Sequence, residues 1–338
     1  MTVTLTYAEA MIKTMDEIMA ADSRVILVGG YWLGYNPRRL PSWRNFVEKY
    51  PDRNYYPPIS ELAVCGIANG AAISGLRPLV HLATASFSFQ AWAQIVNEAA
   101  NIHYMSAGQT RVPVVFHMLH GIRGAGAAQH SHSPQAMLWN IPGLEIVLPS
   151  SPRDVAGLLW SSVESDNPTI FVNHLKLMDL SGEVPEEPFR IPFGQAEVKR
   201  SGKDVTIVAT SYIVQLALEA AEQLAREGID SEVVDPRTLV PLDREAILKS
   251  VAKTGYLVVA DECHLSCGVA AEIAALVASE GFIDLKGPIK RVTTPDVPVP
   301  CSPALEQFIE PSADKIASTV RSLLIGPARF VPEESRLR

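Results

Sequence analysis

Two stretches of this sequence carry side chains able to bind or move a proton, and both sit among small residues. Glu61 follows Pro57-Pro58-Ile59-Ser60, with Ser60 placed to cap a helix over Glu61 to Ile73. A carboxylate in the first turn can simply stay in water and pair with the positive end of the helix. Cys65, Gly66, Ala68, Gly70, Ala71 and Ala72 open an alternative. A helix with so little bulk packs closely and can draw a carboxylate at its start inside, where it needs a hydrogen-bond partner. The second stretch is Gln129-His130-Ser131-His132-Ser133. Histidines at i and i+2 do not share a helix face, which argues against a helical zinc pair. A loop histidine there can act as acid or base, or bind a substrate anion; otherwise it is a surface or internally satisfied histidine.

Other motifs point to less. Gly121-Ile122-Arg123-Gly124-Ala125-Gly126 follows an expected strand, but its glycines stand at positions 1, 4 and 6 rather than 1, 3 and 6 of a dinucleotide loop. Such glycines let the backbone pass close to a ligand or another chain. No G-x-x-x-x-G-K-[ST] loop is present. Cys263, His264 and Cys267 lack the C-x-x-C spacing and a second ligand pair, and read as a loop before a helix starting near Gly268.

The elements that must position these residues alternate between strand and helix, which predicts an α/β fold with parallel sheets. Thr6 and Glu9 form a capping box opening a helix to about Ala21. Strands are expected at Arg24–Val28, Leu79–Leu82, Val112–His117, Leu144–Leu148 and Thr169–Val172, with helices at Phe87–Tyr104 and Pro152–Ser165. Residues 181–193 hold three prolines and no periodicity, and read as a linker. The alternation then restarts, with strands at Val205, Ser231, Leu257 and Lys290 and helices beginning near Val214, Asp243, Val269 and Ser312.

Composition sets the bounds. The chain has 338 residues, 47% hydrophobic and 20% charged, with a net charge of −8. This is a globular balance of about two domains at ~150 residues each. The acidic charge and the lack of a Lys/Arg run argue against a nucleic-acid surface. There is no secretory h-region and no apolar run near the ~18 residues needed to cross a bilayer. Four cysteines in such a chain predict a cytoplasmic protein with reduced thiols.

Segments spread along nearly the whole chain resemble one protein class. They include PPISELAVCGIANGAAISGLRPLVHL (57–82), QIVNEAANIHYMSAGQ (94–109), AAQHSHSPQA (127–136), PGLEIVLPSSPRDVAGLL (142–159), DPRTLVPLD (235–243) and RVTTPDVPVP (291–300). They are similar to the beta subunit of the decarboxylating component of 2-oxo-acid dehydrogenase complexes, of the pyruvate, branched-chain and acetoin types. The resemblance implies a transketolase-like α/β fold. A pyrimidine-binding domain would span 1–185, with a linker to about 200, a transketolase C-terminal-type domain 201–325 and a loose tail 326–338. It also implies thiamin diphosphate and Mg²⁺ shared with an alpha subunit in an α2β2 heterotetramer. The alpha chain of the family carries a Gly-Asp-Gly motif for the diphosphate. None occurs here, so that partner is expected to hold the diphosphate and Mg²⁺.

Carried over by position, Glu61 matches the glutamate whose protonated carboxyl hydrogen-bonds a pyrimidine nitrogen and favours the imino tautomer of the cofactor. Phe87 matches the aromatic stacked on the pyrimidine, and Leu82 would line the same pocket. His130 matches the histidine facing substrate and acyl acceptor, with His132 beside it. Backbone carbonyls around Ser162, Val163 and Asn167 match a potassium site of some members.

Three departures stand out. Gly29-Gly30-Tyr31 replaces Gly-Glu-Asp, His81 replaces an acid, and His117-Met118-Leu119-His120-Gly121 replaces Arg-Gly-Pro-x-Gly. The acids help form a polar tunnel between active sites in the family, so that relay does not carry over, and substrate choice is open. The reading is decarboxylation of a 2-oxo acid, or cleavage of an acyloin, with the acyl unit passed to a lipoyl group on an acyltransferase core or to another acceptor. The alternatives are a split transketolase-like carboligase subunit and a non-catalytic partner subunit.

Overall fold

The computed structural model describes residues 1–29 and 41–325. The departure at Gly30-Tyr31 and the expected tail 326–338 lie outside the described residues.

Strands that are apolar along their whole length must be covered on both faces, and the fold does this with helices on each side of parallel sheets. In the first sheet the strand order is Thr238–Val240, Glu145–Val147, Thr169–His174, Val115–His120, Arg77–Thr84, Val25–Val28 and Asn54–Tyr55. All neighbours run parallel except Thr238–Val240, which pairs antiparallel with Glu145–Val147. The second sheet orders Lys290–Thr294, Leu257–His264, Val205–Ala209, Ser231–Asp235 and Glu197–Arg200, the last antiparallel. One apolar layer packs the helix Glu61–Ile73 and Ile95 on one face of the first sheet, with Phe116 and Val172. On the opposite face Met11, Met15 and Leu158 pack against Phe171.

The expected caps form. Thr6 Oγ accepts from Glu9 N at 3.2 Å while Glu9 Oε2 accepts from Thr6 N at 2.9 Å, opening the helix Tyr7–Ala21. Two expectations need correction, and two elements occur where none was expected. The segment beginning at residue 181 is not all linker: Ser181–Pro185 pairs antiparallel with Thr2–Thr6, because an edge ribbon needs a partner rather than a periodic sequence. Thr238–Val240 crosses back from the second half of the chain into the first sheet. A helix, Pro41–Lys49, occurs where no element was expected. The stretch Phe87–Tyr104 is not one α-helix but a 3₁₀ segment Ala85–Ala91, a π turn Ala93–Ala99 and a short α turn Ile102–Met105. There the Asn69 amide donates to the Gln94 carbonyl at 2.8 Å, a side chain competing for the backbone of a regular helix.

Candidate active site

A cleft of about 660 Å³ opens at the carboxyl ends of Val25–Val28 and Arg77–Thr84, where open α/β sheets bind ligands. Glu61, Leu82 and Phe87 line it together with His81 and Ala83. Glu61 is half-buried, neither drawn fully inside nor left in open water. Ser60 caps its helix, with Oγ accepting from Ala63 N at 3.4 Å. The close packing expected of this helix holds on one face only. Val64, Cys65, Ala68, Asn69 and Ala72 are buried, while Leu62, Ile67 and Ile73 face outward. Beneath Glu61, the Cys65 thiol is pushed up to about 12 by burial and by the neighbouring Glu61 carboxylate.

Leu82 is 2% exposed and reaches the cleft through an irregularity. The ladder to Val115–His120 slips between His81 and Thr84, and Ala83 adopts φ +53°. Such a bulge re-aims side chains at the end of a strand. Phe87 packs edge-to-face against His130, with centroids 5.4 Å apart, so His130 joins the cleft group through that ring. His132 does not. Its ring meets Phe89 at 5.5 Å, and it lines a separate recess of about 330 Å³ with His264 and Asp296. Burial and then the His264 imidazole lower its pKa.

The histidine departures form a chain that sequence reasoning missed. The Tyr7 hydroxyl donates to Asn173 Oδ1 at 2.5 Å, and Asn173 Nδ2 lies 2.9 Å from His117 Nε2. His117 Nδ1 in turn lies 2.9 Å from His81 Nδ1. With the Asn173 oxygen taken by Tyr7, its amide N–H donates to His117 Nε2. The pattern therefore assigns the His117 proton to Nδ1, donated towards His81. Burial and then His81 hold the His117 pKa far below the usual imidazole range, keeping it neutral. His81 and His117 are register partners on adjacent parallel strands, the signal that could have found the pair.

The Gly-rich loop is held by carboxylates from the second half of the chain. Glu262 accepts from Ile122 N at 2.9 Å, and Glu306 accepts from Ala125 N at 2.8 Å and Gly126 N at 3.2 Å. The backbone does pass close to a partner there, and that partner is the chain's own second domain. Glu262 also bonds His174 Nε2 at 2.8 Å. Burial would raise its pKa, but the His174 and His120 imidazoles and the Ile122 amide bring it down to about 2.

At the proposed potassium carbonyls, Arg77 Nη1 donates to Val163 O at 2.7 Å and to Ser165 O at 2.8 Å. Ser162 Oγ turns back to Leu158 O, and the Asn167 amide binds Glu145. The Arg77 guanidinium thus takes one of the two lone pairs of the Val163 carbonyl oxygen. Among the described residues no cluster of three His, Cys, Asp or Glu side chains converges on a metal position. Cys263 is buried at the end of a strand rather than in a loop, and Cys267 is exposed in the turn that follows. No helix among the described residues is long and apolar enough to cross a membrane.

Two family models match the chain: "Transketolase, pyrimidine binding domain" over residues 3–179 and "Transketolase, C-terminal domain" over 194–316. The acetoin:2,6-dichlorophenolindophenol oxidoreductase subunit beta of Cupriavidus necator is 41% identical, over 94% of this chain and 96% of its own. The pyruvate dehydrogenase E1 component subunit beta of Rickettsia felis is 40% identical, over 94% and 98%. The 2-oxoisovalerate dehydrogenase subunit beta of Bacillus subtilis is 37% identical, over 94% and 98%. Among solved structures, a split gene transketolase described as an inactive beta4 tetramer matches with a TM-score of 0.77 and 25% identity, over 95% of this chain and 98% of that one.

Proposed function

This chain belongs to the transketolase-like family of 2-oxo-acid dehydrogenase E1 beta subunits, and on that premise we propose that it forms the pyrimidine side of a thiamin-diphosphate site acting on a 2-oxo acid or an acyloin. One observation carries the reading: Glu61, Leu82 and Phe87, from a helix start, a strand end and the segment after it, converge on a single cleft, and His130 packs against Phe87. The donor set suits a flat heterocycle. Besides Glu61 and Phe87 it offers the Glu48 carboxyl, the rings of Trp43 and Tyr56, and the polar groups of Arg44 and His81, on an otherwise largely apolar wall. When bound, the cofactor supplies the electron sink for breaking the bond next to the substrate carbonyl.

The chain's own residues supply the rest. Glu61 would hold the heterocycle by a hydrogen bond from its carboxyl group to a ring nitrogen. Phe87 offers a ring to the heterocycle, and Leu82 with Val64 excludes water from it. His130 holds or moves a proton when the acyl unit leaves. The sequence has no Gly-Asp-Gly, so an alpha subunit would hold the diphosphate and Mg²⁺ in an α2β2 assembly, with lipoyl-lysine as the acyl acceptor. The oxidoreductase and dehydrogenase names of relatives at about 40% identity favour this over the carboligase reading. The shared cleft of Glu61 and Phe87 speaks against a non-catalytic partner.

The test is Glu61→Gln in the complex with the alpha chain, thiamin diphosphate and Mg²⁺. Turnover should fall by about 10²-fold or more, with assembly and unfolding temperature unchanged. Near-normal turnover would remove Glu61 from the mechanism.

A further inference from the structure

His130 lies in the first half of the chain, but the segment leading to it is anchored by the second half. Between Gly121 and Ala127, four residues take left-handed backbone: Gly121 at φ +93°, Gly124 at +86°, Ala125 at +57° and Ala127 at +53°. For the two alanines this conformation is strained and persists only where the surroundings over-determine it. Glu306 supplies that constraint. Its carboxylate is 2% exposed and takes the amides of both Ala125 and Gly126. These are the two residues immediately before the short helix Ala127–His130. Glu262 takes the Ile122 amide at the start of the loop, and Ile122 packs with Val299 and Ile309 beneath it. At the far end Ser86 Oγ donates to the Gln129 carbonyl, one residue before His130 and on the segment that carries Phe87.

We propose that Glu306 is a positioning residue for His130: by bridging the Ala125 and Gly126 amides across the domain boundary, it sets where the imidazole stands against Phe87. This deepens the function proposed above and rests on His130 serving that reaction. A carboxylate spanning two adjacent amides fixes the direction of the chain as well as its distance, which a single hydrogen bond does not. A glutamine offers one acceptor oxygen in place of two and leaves one of the two amides without its partner. The substitution thus loosens the loop while changing almost nothing in volume.

The test is a double-mutant cycle in the complex with the alpha chain, thiamin diphosphate and Mg²⁺. The substrate is whichever of pyruvate, 2-oxoisovalerate or acetoin the wild-type complex turns over. Glu306→Gln should lower kcat about tenfold with KM within about twofold, and in a His130→Ala background it should cost less than about twofold more. A second readout uses the chain without cofactor. Carbethoxylation of His130, followed by peptide mass spectrometry with exposed His103 as internal reference, should run at least about threefold faster in Glu306→Gln. Should Glu306→Gln fold poorly, Glu306→Asp is measured the same way, since one methylene fewer keeps the charge but cannot span both amides.

Equal kcat losses in both backgrounds, or unchanged His130 labelling, would overturn the positioning role. A fully active His130→Ala complex would instead overturn the role given to His130 in the reaction, and the labelling would still report on the loop. If His130→Ala is too slow to measure, the labelling result decides alone.

Discussion

Gly121 has no room for a side chain. An added Cβ would lie 2.1 Å from His174 Nε2 and 2.3 Å from Glu262 Oε2, and φ there is +93°. Gly121→Ala therefore combines backbone strain with a clash against the very groups that bind the loop. Unfolding free energy should fall by about 2–4 kcal/mol, read as a lower denaturant midpoint. At the same scale, Glu61 shows how little a residue's type says without its surroundings. Its place in a first helical turn is equally that of a solvated carboxylate. Only Leu82 and Phe87 on the same cleft turn it into a candidate for proton donation.

Among the elements, the helix Tyr7–Ala21 has the strongest local signal, because the Thr6–Glu9 box satisfies donors at its start from both directions. Thr6→Ala should cost about 1 kcal/mol without loss of the fold, since Met11, Met15, Ile18 and Met19 still bury the helix. A shifted urea midpoint with an unchanged slope would show this. The segment from Ala85 to Ala99 behaves differently. It has no regular helical period, and its shape follows from contacts with the Glu61–Ile73 helix, including the Asn69 amide on Gln94. Phe87 is carried by this irregular part, which is why its placement depends on packing rather than on propensity.

At the scale of the whole molecule, the two domains are joined by buried polar groups. His120 bonds Ser133 Oγ at 3.1 Å in its own domain and Ser211 Oγ at 3.0 Å in the other, while His174 bonds Glu262 across the boundary. Burial, then His174, lowers the His120 pKa to about 3. Below about pH 6.5 the unfolded chain therefore takes up a proton that the folded chain refuses, and stability falls as pH drops from 6.5 towards 3. Glu262, at about 2 in the fold, adds a loss of the same sign below its ordinary value of 4.5. Asp235 works in the opposite sense. Burial raises it to about 7, so its share of stability declines as pH rises towards 7. His120→Gln isolates the histidine. The difference in unfolding free energy between wild type and variant should change by about 1.4 kcal/mol per pH unit between pH 6 and 4. A constant difference across that range would show that His120 does not titrate between folded and unfolded states in this way.

What the sequence determined by itself is local or additive. Strand and helix periods, the caps at Thr6 and Ser60, and motifs spread along nearly the whole chain fixed the α/β alternation and singled out Glu61, Leu82, Phe87 and His130. These signals lie within a few residues of one another, or match a pattern whole. Tertiary structure alone decided the rest. The bulge that turns Ala83 into the cleft, the Asn173–His117–His81 chain, and the guanidinium on Val163 join residues from separate strands and helices. The Glu306 carboxylate meets Ala125 across 181 residues of chain. No spacing rule reaches that far. Such contacts form because a buried carboxylate or amide must find a partner, and which partner it finds is set by how the sheets and domains pack.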